Sequence, residues 1–205
     1  DVVMHFAAYI QVEESVKNPK KYLVNNYKNT KSFLQYCKLA NLKNIIFSST
    51  AAVYGELEVN QKHALETSRL NPKNAYALSK VKVENYLINS KFFKYIVLRY
   101  FNVAGADILL RSGQVSKKST HLIKIICENS IKNKKLKIFG NDYPTDDGTA
   151  IRDYIHVCDL AEAHFKAACY ILKNVKSDIF NCGYGNGYSV KKIVDTFNMM
   201  FDSKI

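Results

Sequence analysis

The sequence is poor in the residues that mark several classes of protein. Its 205 residues include no tryptophan, 3 prolines and 8 glycines. So little Pro and Gly, with an apolar fraction of 47%, excludes a collagen-like repeat and a disordered chain. No apolar run approaches the roughly 20 residues that a membrane-spanning helix needs, and no secretory signal pattern is present. The composition predicts a globular chain with a substantial core, in one or two domains.

Cysteine is also sparse, and its spacing matches no disulfide or metal framework. No C-x-x-C pair occurs, and an odd number of scattered thiols without an export signal is typical of a reducing compartment. We therefore expect free thiols in a cytoplasmic protein, and neither a metal site nor a nucleophilic cysteine. The five residues are Cys37, Cys127, Cys158, Cys169 and Cys182.

Acidic residues are outnumbered, 18 to 30, which gives a net charge of +12. A charge of this size raises the possibility of nucleic-acid binding. The basic residues, however, are spread evenly and form no basic arm. This distribution favours a solvated basic surface that attracts an anionic small molecule. We predict neither a nucleic acid nor a membrane as a partner.

Short apolar segments alternate with amphipathic ones, a pattern typical of an α/β fold with a parallel sheet. Asn71-Pro72 is a start signal for a helix over residues 75–89, and an earlier segment has apolar residues at steps of three and four. The predicted strands are residues 2–7, 44–49, 95–100 and 178–183. The periodic face of the earlier helix is Leu23, Tyr27, Thr30, Leu34 and Cys37.

Periodicity is weaker in the second half of the chain. Residues 105–119 are predicted to form a polar loop, and residues 140–150 a series of turns. Asp159 and Glu162 have the spacing of a capping box, which predicts that a helix begins at Asp159. Its apolar face would be Leu160, His164, Ala167 and Ile171. Further predicted elements are a helix from Leu122, a short strand over 136–139, and a helix capped by Ser189 with Val190, Ile193, Val194, Phe197 and Phe201 facing inward.

The strongest candidate for chemistry is the pair Tyr76 and Lys80. Four residues apart on a helix, the two side chains lie on one face. A tyrosine with its ordinary pKa near 10 is a poor base at neutral pH, and a nearby ammonium lowers that pKa. The pair can therefore move the proton of a hydroxyl group.

A second candidate feature is the run Ser48-Ser49-Thr50 at the end of a predicted strand. Polar residues at the carboxyl ends of parallel strands face the ligand crevice. The hydroxyl of Thr50 could therefore lie beside that of Tyr76 and hold a substrate oxygen. Each motif alone is common, and their combination is more informative.

Longer motifs accompany these residues in a fixed order. With them the sequence resembles the extended short-chain dehydrogenase/reductase superfamily and, within it, the UDP-glucose 4-epimerase family. The resemblance implies an α/β fold: a partial doubly wound Rossmann-type parallel sheet with a smaller C-terminal substrate-binding α/β region. The motifs are His5-Phe6-Ala7-Ala8, Asn25-Asn26, Ser48 to Gly55, Tyr76 to Lys80, Leu98 to Gly105, Thr120 to Ile123, Ile138 to Thr149, Arg152 to Val157 and Asp159-Leu160-Ala161.

The resemblance also implies an activity, the interconversion of UDP-glucose and UDP-galactose through a 4-keto sugar with bound NAD. Tyr76 would remove the proton from the sugar 4-hydroxyl. Lys80 would lower the pKa of that tyrosine and bond the nicotinamide ribose. Thr50 would bridge the sugar 4-oxygen and Tyr76, as either Ser or Thr can.

Other site residues follow from the same resemblance, which implies no metal. It implies a homodimer formed through the helices that hold Leu34 and Tyr76. Arg152 would clamp the substrate diphosphate, since its guanidinium is planar and bidentate. The implied cofactor-binding residues are Phe6, Ala7, Ala8, Asn25, Ser48, Tyr76, Lys80 and Phe101. The implied substrate-binding residues are Thr50, Asn102, Leu122, Lys137, Phe139 and Arg152.

The sequence departs from the family in lacking the glycine-rich turn that seats the NAD pyrophosphate. It begins at Asp1, inside a predicted strand, so we expect a fragment. Residues 1–104 would form a partial NAD-binding Rossmann domain without its first strands. Residues 105–205 would form mainly the nucleotide-sugar region, with some segments that return to the Rossmann domain.

Two alternatives to the epimerase hypothesis remain open. One is another NAD-dependent nucleotide-sugar enzyme, although a dehydratase would need an acidic residue where Ala51 and Ala52 stand. The other is a non-enzymatic remnant of a truncated gene. Activity of the 205-residue chain itself is not implied by the resemblance.

Overall fold

The computed structural model describes residues 1–57, 61–116, 119–173, 176–203 and 205. The strands are β1 (Val2–His5), β2 (Asn44–Thr50), β3 (Lys94–Tyr100), β4 (Asn102–Ala104), β5 (Ile151–His156), β6 (Asp178–Cys182) and β7 (Gly187–Ser189). The helices are α1 (Val12–Lys17), α2 (Pro19–Tyr22), α3 (Thr30–Leu39), α4 (Ala75–Ile88), α5 (Leu122–Ile131), α6 (Val157–Leu172) and α7 (Val190–Phe201). A π-helical segment covers Leu23–Asn29, and a 3-10 turn covers Ala51–Val53.

The chain divides into two compact units. The first consists of residues 1–101 and 161–182, and the second of residues 102–160 and 183–205. Helix α6 therefore begins in the second unit and continues in the first.

A four-stranded parallel sheet organises the first unit. Its strand order is β1-β2-β3-β6, and each neighbouring pair is parallel. In the register, His5 pairs with Phe47 and Thr50 pairs with Tyr100. All four predicted strands are present, although the first ends at His5 and not at residue 7. The predicted α/β class is confirmed, and the carboxyl ends of these strands lie along one edge of the sheet.

The core of the first unit lies between this sheet and helices α3 and α4. Val83 and Leu87 of α4 face Phe47 and Val97 of the sheet, and all four side chains are at most 1% exposed. Burial of such aliphatic and aromatic side chains contributes about 1.5–3 kcal/mol each. The packing fixes α4 against β2 and β3.

The first half of the predicted periodic face, Leu23 and Tyr27, is only partly correct, since Tyr27 packs against the core cluster but neither residue is fully buried. Those two residues are half-buried, whereas Tyr22 and Asn26 are 0% and 2% exposed. The cause is the π-helical segment, whose wider turns keep residues four apart facing the core there. The later predicted positions, Thr30, Leu34 and Cys37, are buried as expected.

A small mixed sheet forms part of the second unit. Strand β4 pairs parallel to β5, and β5 pairs antiparallel to β7. Ser189 caps α7 as predicted, because its hydroxyl accepts a hydrogen bond from the Lys192 amide at 3.1 Å. The predicted face of α6 (Leu160, His164, Ala167 and Ile171) is buried.

Three predictions for the second half of the chain are wrong. Residues 136–139 form no strand, and Phe139 is 80% exposed. Asp159 does not begin α6, which starts at Val157 directly after β5; its carboxylate instead accepts a hydrogen bond from the Tyr184 hydroxyl. Phe201 is 64% exposed. In the predicted loop 105–119, residues 117 and 118 lie outside the described residues.

Within the described part of the chain, no helix combines the length and the apolar character required to cross a membrane. The same residues contain no group of three or more His, Cys, Asp or Glu side chains placed to hold a metal ion.

Candidate active site

Helix α4 presents one polar face to the carboxyl end of β2. The helix begins at Ala75 because the Asn74 side chain accepts a hydrogen bond from the Ala77 amide at 2.9 Å. Tyr76, Lys80 and Glu84 follow at steps of four and therefore line one face. Packing of the apolar face against the sheet turns this row towards the strand end that carries Ser48, Ser49 and Thr50.

The structure brings Tyr76 and Thr50 together. The Thr50 hydroxyl accepts the Ala52 amide at 3.2 Å, which caps the 3-10 turn. Burial raises the pKa of Tyr76 above its ordinary value, and the interaction of its phenol with the Thr50 side chain opposes this only in part. This direction differs from the expectation that Lys80 lowers the pKa of Tyr76.

The reason for the difference is where the ammonium of Lys80 lies. Lys80 is 3% exposed, and its Nζ donates a hydrogen bond to the Ser48 carbonyl at 2.6 Å. Burial lowers the pKa of Lys80 to about 8, and the charge of Glu84 opposes that decrease. Lys80 is thus a buried ammonium bound to the backbone of β2, one helical turn from Tyr76.

Two aromatic rings complete the surroundings of Lys80. Its Nζ lies 4.9 Å from the centroid of the Phe47 ring, a cation–π distance. The imidazole of His5 stacks on the same ring with a centroid distance of 6.1 Å and accepts or donates a hydrogen bond at Thr30 Oγ1, 3.0 Å away. Burial and the charge of Lys80 lower the pKa of His5. A neutral His5 therefore forms part of the wall behind Lys80.

A second hydroxyl cluster lies at the end of β3. The Tyr100 hydroxyl is 2.6 Å from His164 Nε2, and the Ser48 side chain lies close enough to act against the rise in its pKa. Burial raises the pKa of Tyr100, so the phenol stays protonated at neutral pH. The Phe6 ring packs against His164 at 4.9 Å. Phe6, His164 and Tyr100 thus lie together beside Ser48, whose carbonyl accepts the Lys80 ammonium.

The sequence-based reasoning missed the buried ion pair of Glu84 and Arg99. Arg99 donates to both carboxylate oxygens of Glu84, at 2.7 and 3.2 Å, and the Ser49 hydroxyl donates to the same carboxylate. A signal was present in the sequence: Arg99 interrupts an apolar strand, and a buried charge requires a partner. Glu84, two turns from Tyr76 on the polar face of α4, was the carboxylate that could have been predicted as the partner of Arg99.

The remaining predicted cofactor residues lie at the strand ends of the first unit. Phe6 and Ala7 are exposed, Ala8 and Phe101 are half-buried, and the Phe101 amide donates to the Cys182 carbonyl at 3.0 Å. The Asn25 amide donates to the Asn26 side chain at 3.0 Å. Asn26, which was not predicted, exchanges two hydrogen bonds with the backbone of Tyr9 and so fixes the segment after β1.

In the second unit, Asn102 and Leu122 line one cavity of about 380 Å³. A volume of this size is within the usual range for small-molecule sites. Burial and then the charge of Lys124 lower the pKa of His121, another lining residue. The full lining is Asn102, Val103, Ala104, Gly105, Ala106, Gln114, His121, Leu122, Ile123, Lys124, Cys127 and Tyr154.

Three predicted substrate residues do not line that cavity in the described part of the second unit. Lys137 and Phe139 are exposed, and the Lys137 Nζ lies 5.4 Å from the centroid of the Phe139 ring. Arg152 of β5 is exposed, and its guanidinium donates to the Ile151 carbonyl at 2.7 Å.

Comparison with known proteins identifies relatives of this chain. A UDP-glucose 4-epimerase of Azospirillum brasilense is 45% identical over 200 residues, which covers 96% of this chain and 57% of that protein. The crystal structure of the Brucella ovis UDP-glucose 4-epimerase in complex with NAD matches with a TM-score of 0.94 at 38% identity, over 100% of this chain and 63% of that one. The Bifidobacterium longum UDP-glucose 4-epimerase, solved with NAD+ and UDP, matches with a TM-score of 0.88 at 33% identity, over 97% and 61%.

The chain thus spans less than two thirds of the length of these relatives. Its parallel sheet corresponds to the Rossmann-type sheet of the epimerase structures. The model of the NAD dependent epimerase/dehydratase family matches residues 1–183. Because this match covers most of the chain, the chain belongs to the NAD-dependent epimerase/dehydratase family.

Proposed function

We propose that this chain carries the catalytic group of an NAD-dependent UDP-sugar 4-epimerase that interconverts UDP-glucose and UDP-galactose. The observation that carries the proposal is the placement of Tyr76 beside Thr50 at the end of β2, with Lys80 one turn along the same helix face and bound to that strand. Two hydroxyls and an ammonium at one sheet edge suit the removal and return of an alcohol proton.

Tyr76 is the proton acceptor in this proposal, and Thr50 holds the sugar 4-oxygen. Because burial raises the pKa of Tyr76, the phenol gives up its proton only when a positive charge acts on its oxygen. In this structure the Lys80 ammonium is bound to the Ser48 carbonyl and does not lower the pKa of Tyr76. With a pKa of about 8 it is mostly protonated at neutral pH, and it is proposed to supply that charge when cofactor and substrate are bound. An ammonium has three N–H donors, and the Ser48 carbonyl uses one.

The residues at the strand ends fit a bound dinucleotide. Ala7 is small and exposed at the end of β1, which leaves room for a ligand against the backbone. NAD, when bound, would take a hydride from C4 of the sugar and return it to the opposite face. The residues proposed to hold NAD are Phe6, Ala7, Ala8, Asn25, Ser48, Tyr76, Lys80 and Phe101.

The cavity of the second unit is proposed to take the nucleotide part of the substrate, on the strength of Asn102 and Leu122 in its lining. Lys137, Phe139 and Arg152 are proposed to reach the uracil and diphosphate. In this scheme residues 1–104 are mainly the cofactor domain, and residues 105–205 mainly the substrate region.

The cellular setting is part of the same proposal. We propose a cytoplasmic homodimer that binds neither nucleic acid nor membrane. Leu34 itself is 1% exposed and faces the core, so contacts through α3 would use its exposed residues. These are Phe33, Tyr36 and Leu39, which are 40%, 70% and 83% exposed.

The decisive experiment compares Tyr76→Phe with Tyr86→Phe in the full-length protein encoded by the gene. Both changes remove one phenolic hydroxyl from α4, and only the first removes the proposed base. We expect Tyr76→Phe to lower kcat for UDP-galactose by about 10²–10⁴-fold, with little change in UDP-sugar affinity, and Tyr86→Phe to leave kcat unchanged. Equal rates for the two variants would remove Tyr76 from its role. No turnover by the unmodified protein would favour the non-enzymatic alternative.

A further inference from the structure

The ion pair of Glu84 and Arg99 is buried to a degree that ordinary stabilisation does not explain. Their side chains are 0% and 3% exposed, and both guanidinium–carboxylate bonds are within 3.2 Å. Apolar residues of similar volume are often at least as stabilising as a buried ion pair. A role beyond stability would account for these two charges in the core.

The pair connects the elements that build the candidate active site. Glu84 belongs to α4, Arg99 to β3, and Ser49, whose hydroxyl also bonds Glu84, to β2. Arg99 is held in turn by the Tyr54 hydroxyl at 2.9 Å and the Glu66 carbonyl at 3.1 Å. The carboxylate of Glu84 is therefore fixed from two strands, and any sliding of α4 would break these bonds.

Glu84 also lies one turn beyond Lys80 on the same helix face. Burial lowers the pKa of Lys80, and the negative charge of Glu84 opposes that decrease. The other ionisable groups near this position are His5 from β1, whose pKa Lys80 lowers, and Arg99 from β3, which is bound to Glu84. From β2, Lys80 meets the neutral Ser48 carbonyl and the Phe47 ring.

We propose that Glu84 is a positioning residue for Tyr76 and Lys80: its buried carboxylate, bound by Arg99 and Ser49, fixes α4 against β2 and β3 and places a negative charge one helical turn from Lys80. This inference rests on the proposed function, in which the ammonium acts on Tyr76. It assigns to Glu84 no contact with substrate or cofactor.

The test is the titration of Lys80 in the 205-residue chain, followed by NMR of ¹³C-labelled lysine and assigned with Lys80→Met. The variant Glu84→Gln keeps the volume and removes the charge, and Glu84→Asp keeps the charge. The matched control Ser49→Ala removes a hydrogen bond to the same carboxylate and leaves the charge in place. We expect a pKa of about 8 for Lys80 in the unmodified chain and in Ser49→Ala. In Glu84→Gln we expect it to fall by about one unit or more, with a smaller decrease in Glu84→Asp.

Glu84→Gln leaves the buried Arg99 without a counter-charge, which destabilises the fold of this variant. The double variant Glu84→Gln with Arg99→Met avoids that problem, and a smaller decrease in the pKa of Lys80 is expected there, because the positive charge of Arg99 is removed together with the negative charge of Glu84. A Lys80 pKa that stays near 8 in whichever of these variants folds would overturn the inference. So would an equal decrease in Ser49→Ala, because that would trace the effect to packing and not to charge.

The titration uses neither NAD nor sugar, and it is therefore independent of the proposed function. If Lys80 responds to Glu84 as expected while the full-length protein shows no epimerase activity, the proposed function alone fails. If the full-length protein is active and Lys80 does not respond, the inference about Glu84 alone fails.

Discussion

Removal of the Lys80 ammonium should change how the stability of the chain depends on pH. Lys80→Met keeps the apolar stem in its place beneath the Phe47 ring and removes the charge. In the folded chain the pKa of Lys80 is lowered to about 8 by burial, against an ordinary value of 10.5 in the unfolded chain. Between these two pH values the unfolded state binds a proton that the folded state lacks. Stability supplied by this site therefore rises with pH, and below pH 8 the cost of the buried charge is present in full.

The size of the effect follows from the two pKa values. Each unit of difference corresponds to about 1.4 kcal/mol, so the site contributes a total change of about 3 kcal/mol between pH 8 and 10.5. Other groups act in the opposite direction. Burial raises the pKa of Cys182 to about 11 and that of Tyr22 to about 12, so the unfolded state loses those protons first and stability falls as pH rises. Only the difference between the two proteins isolates Lys80.

The assay is urea unfolding of the unmodified chain and of Lys80→Met at intervals between pH 7 and 9.5. Above pH 8, the free energy of unfolding of the unmodified chain should rise relative to that of Lys80→Met by up to about 1.4 kcal/mol per pH unit. Lys82→Met, which removes a positive charge from the exposed side of the same helix, serves as the control. A free-energy difference that does not change with pH would refute the buried-ammonium description of Lys80.

Further predictions concern the elements that hold the site. Arg99→Met should lower the free energy of unfolding by about 3–5 kcal/mol, because it leaves Glu84 charged and buried. The double variant Arg99→Met with Glu84→Met should recover most of that loss. Urea unfolding at pH 7 measures the free energy of unfolding of both variants. Leu87→Ala, at a side chain 0% exposed in the core, should cost about 2–5 kcal/mol by the same measurement. Asn74→Ala should cost about 0.5–2 kcal/mol, since it removes the cap of α4; thermal unfolding would detect this, and an unchanged Tm would contradict the cap. Gly148→Ala should also lower Tm, because φ is +73° there and a Cβ would lie 2.3 Å from the Asn141 carbonyl oxygen.

Much of the framework was predictable from local sequence patterns. The parallel strands appear as short apolar segments, and the Asn71-Pro72 start signal indicates α4, because signals of this kind lie within one segment of the chain. The same reasoning placed Tyr76 and Lys80 on one face and Thr50 at a strand end. The π-helical segment, by contrast, could not be predicted from a period of 3.6, and the buried face before residue 30 was therefore only partly correct. The predicted strand over residues 136–139 was wrong for a related reason. A strand needs a neighbouring strand to pair with, and a segment of four residues does not specify that neighbour.

What the sequence alone determined is which residue types share a face and which strand ends carry hydroxyls. Only the tertiary structure decided that Lys80 binds the Ser48 carbonyl, that burial raises the pKa of Tyr76, and that Glu84 meets Arg99 inside the core. The reason is physical. Faces and strand ends follow from backbone geometry within one segment, whereas a pKa depends on the water excluded and the charges assembled by several segments at once. Partners that are 15 to 32 residues apart in sequence become neighbours only when the sheet and α4 have packed.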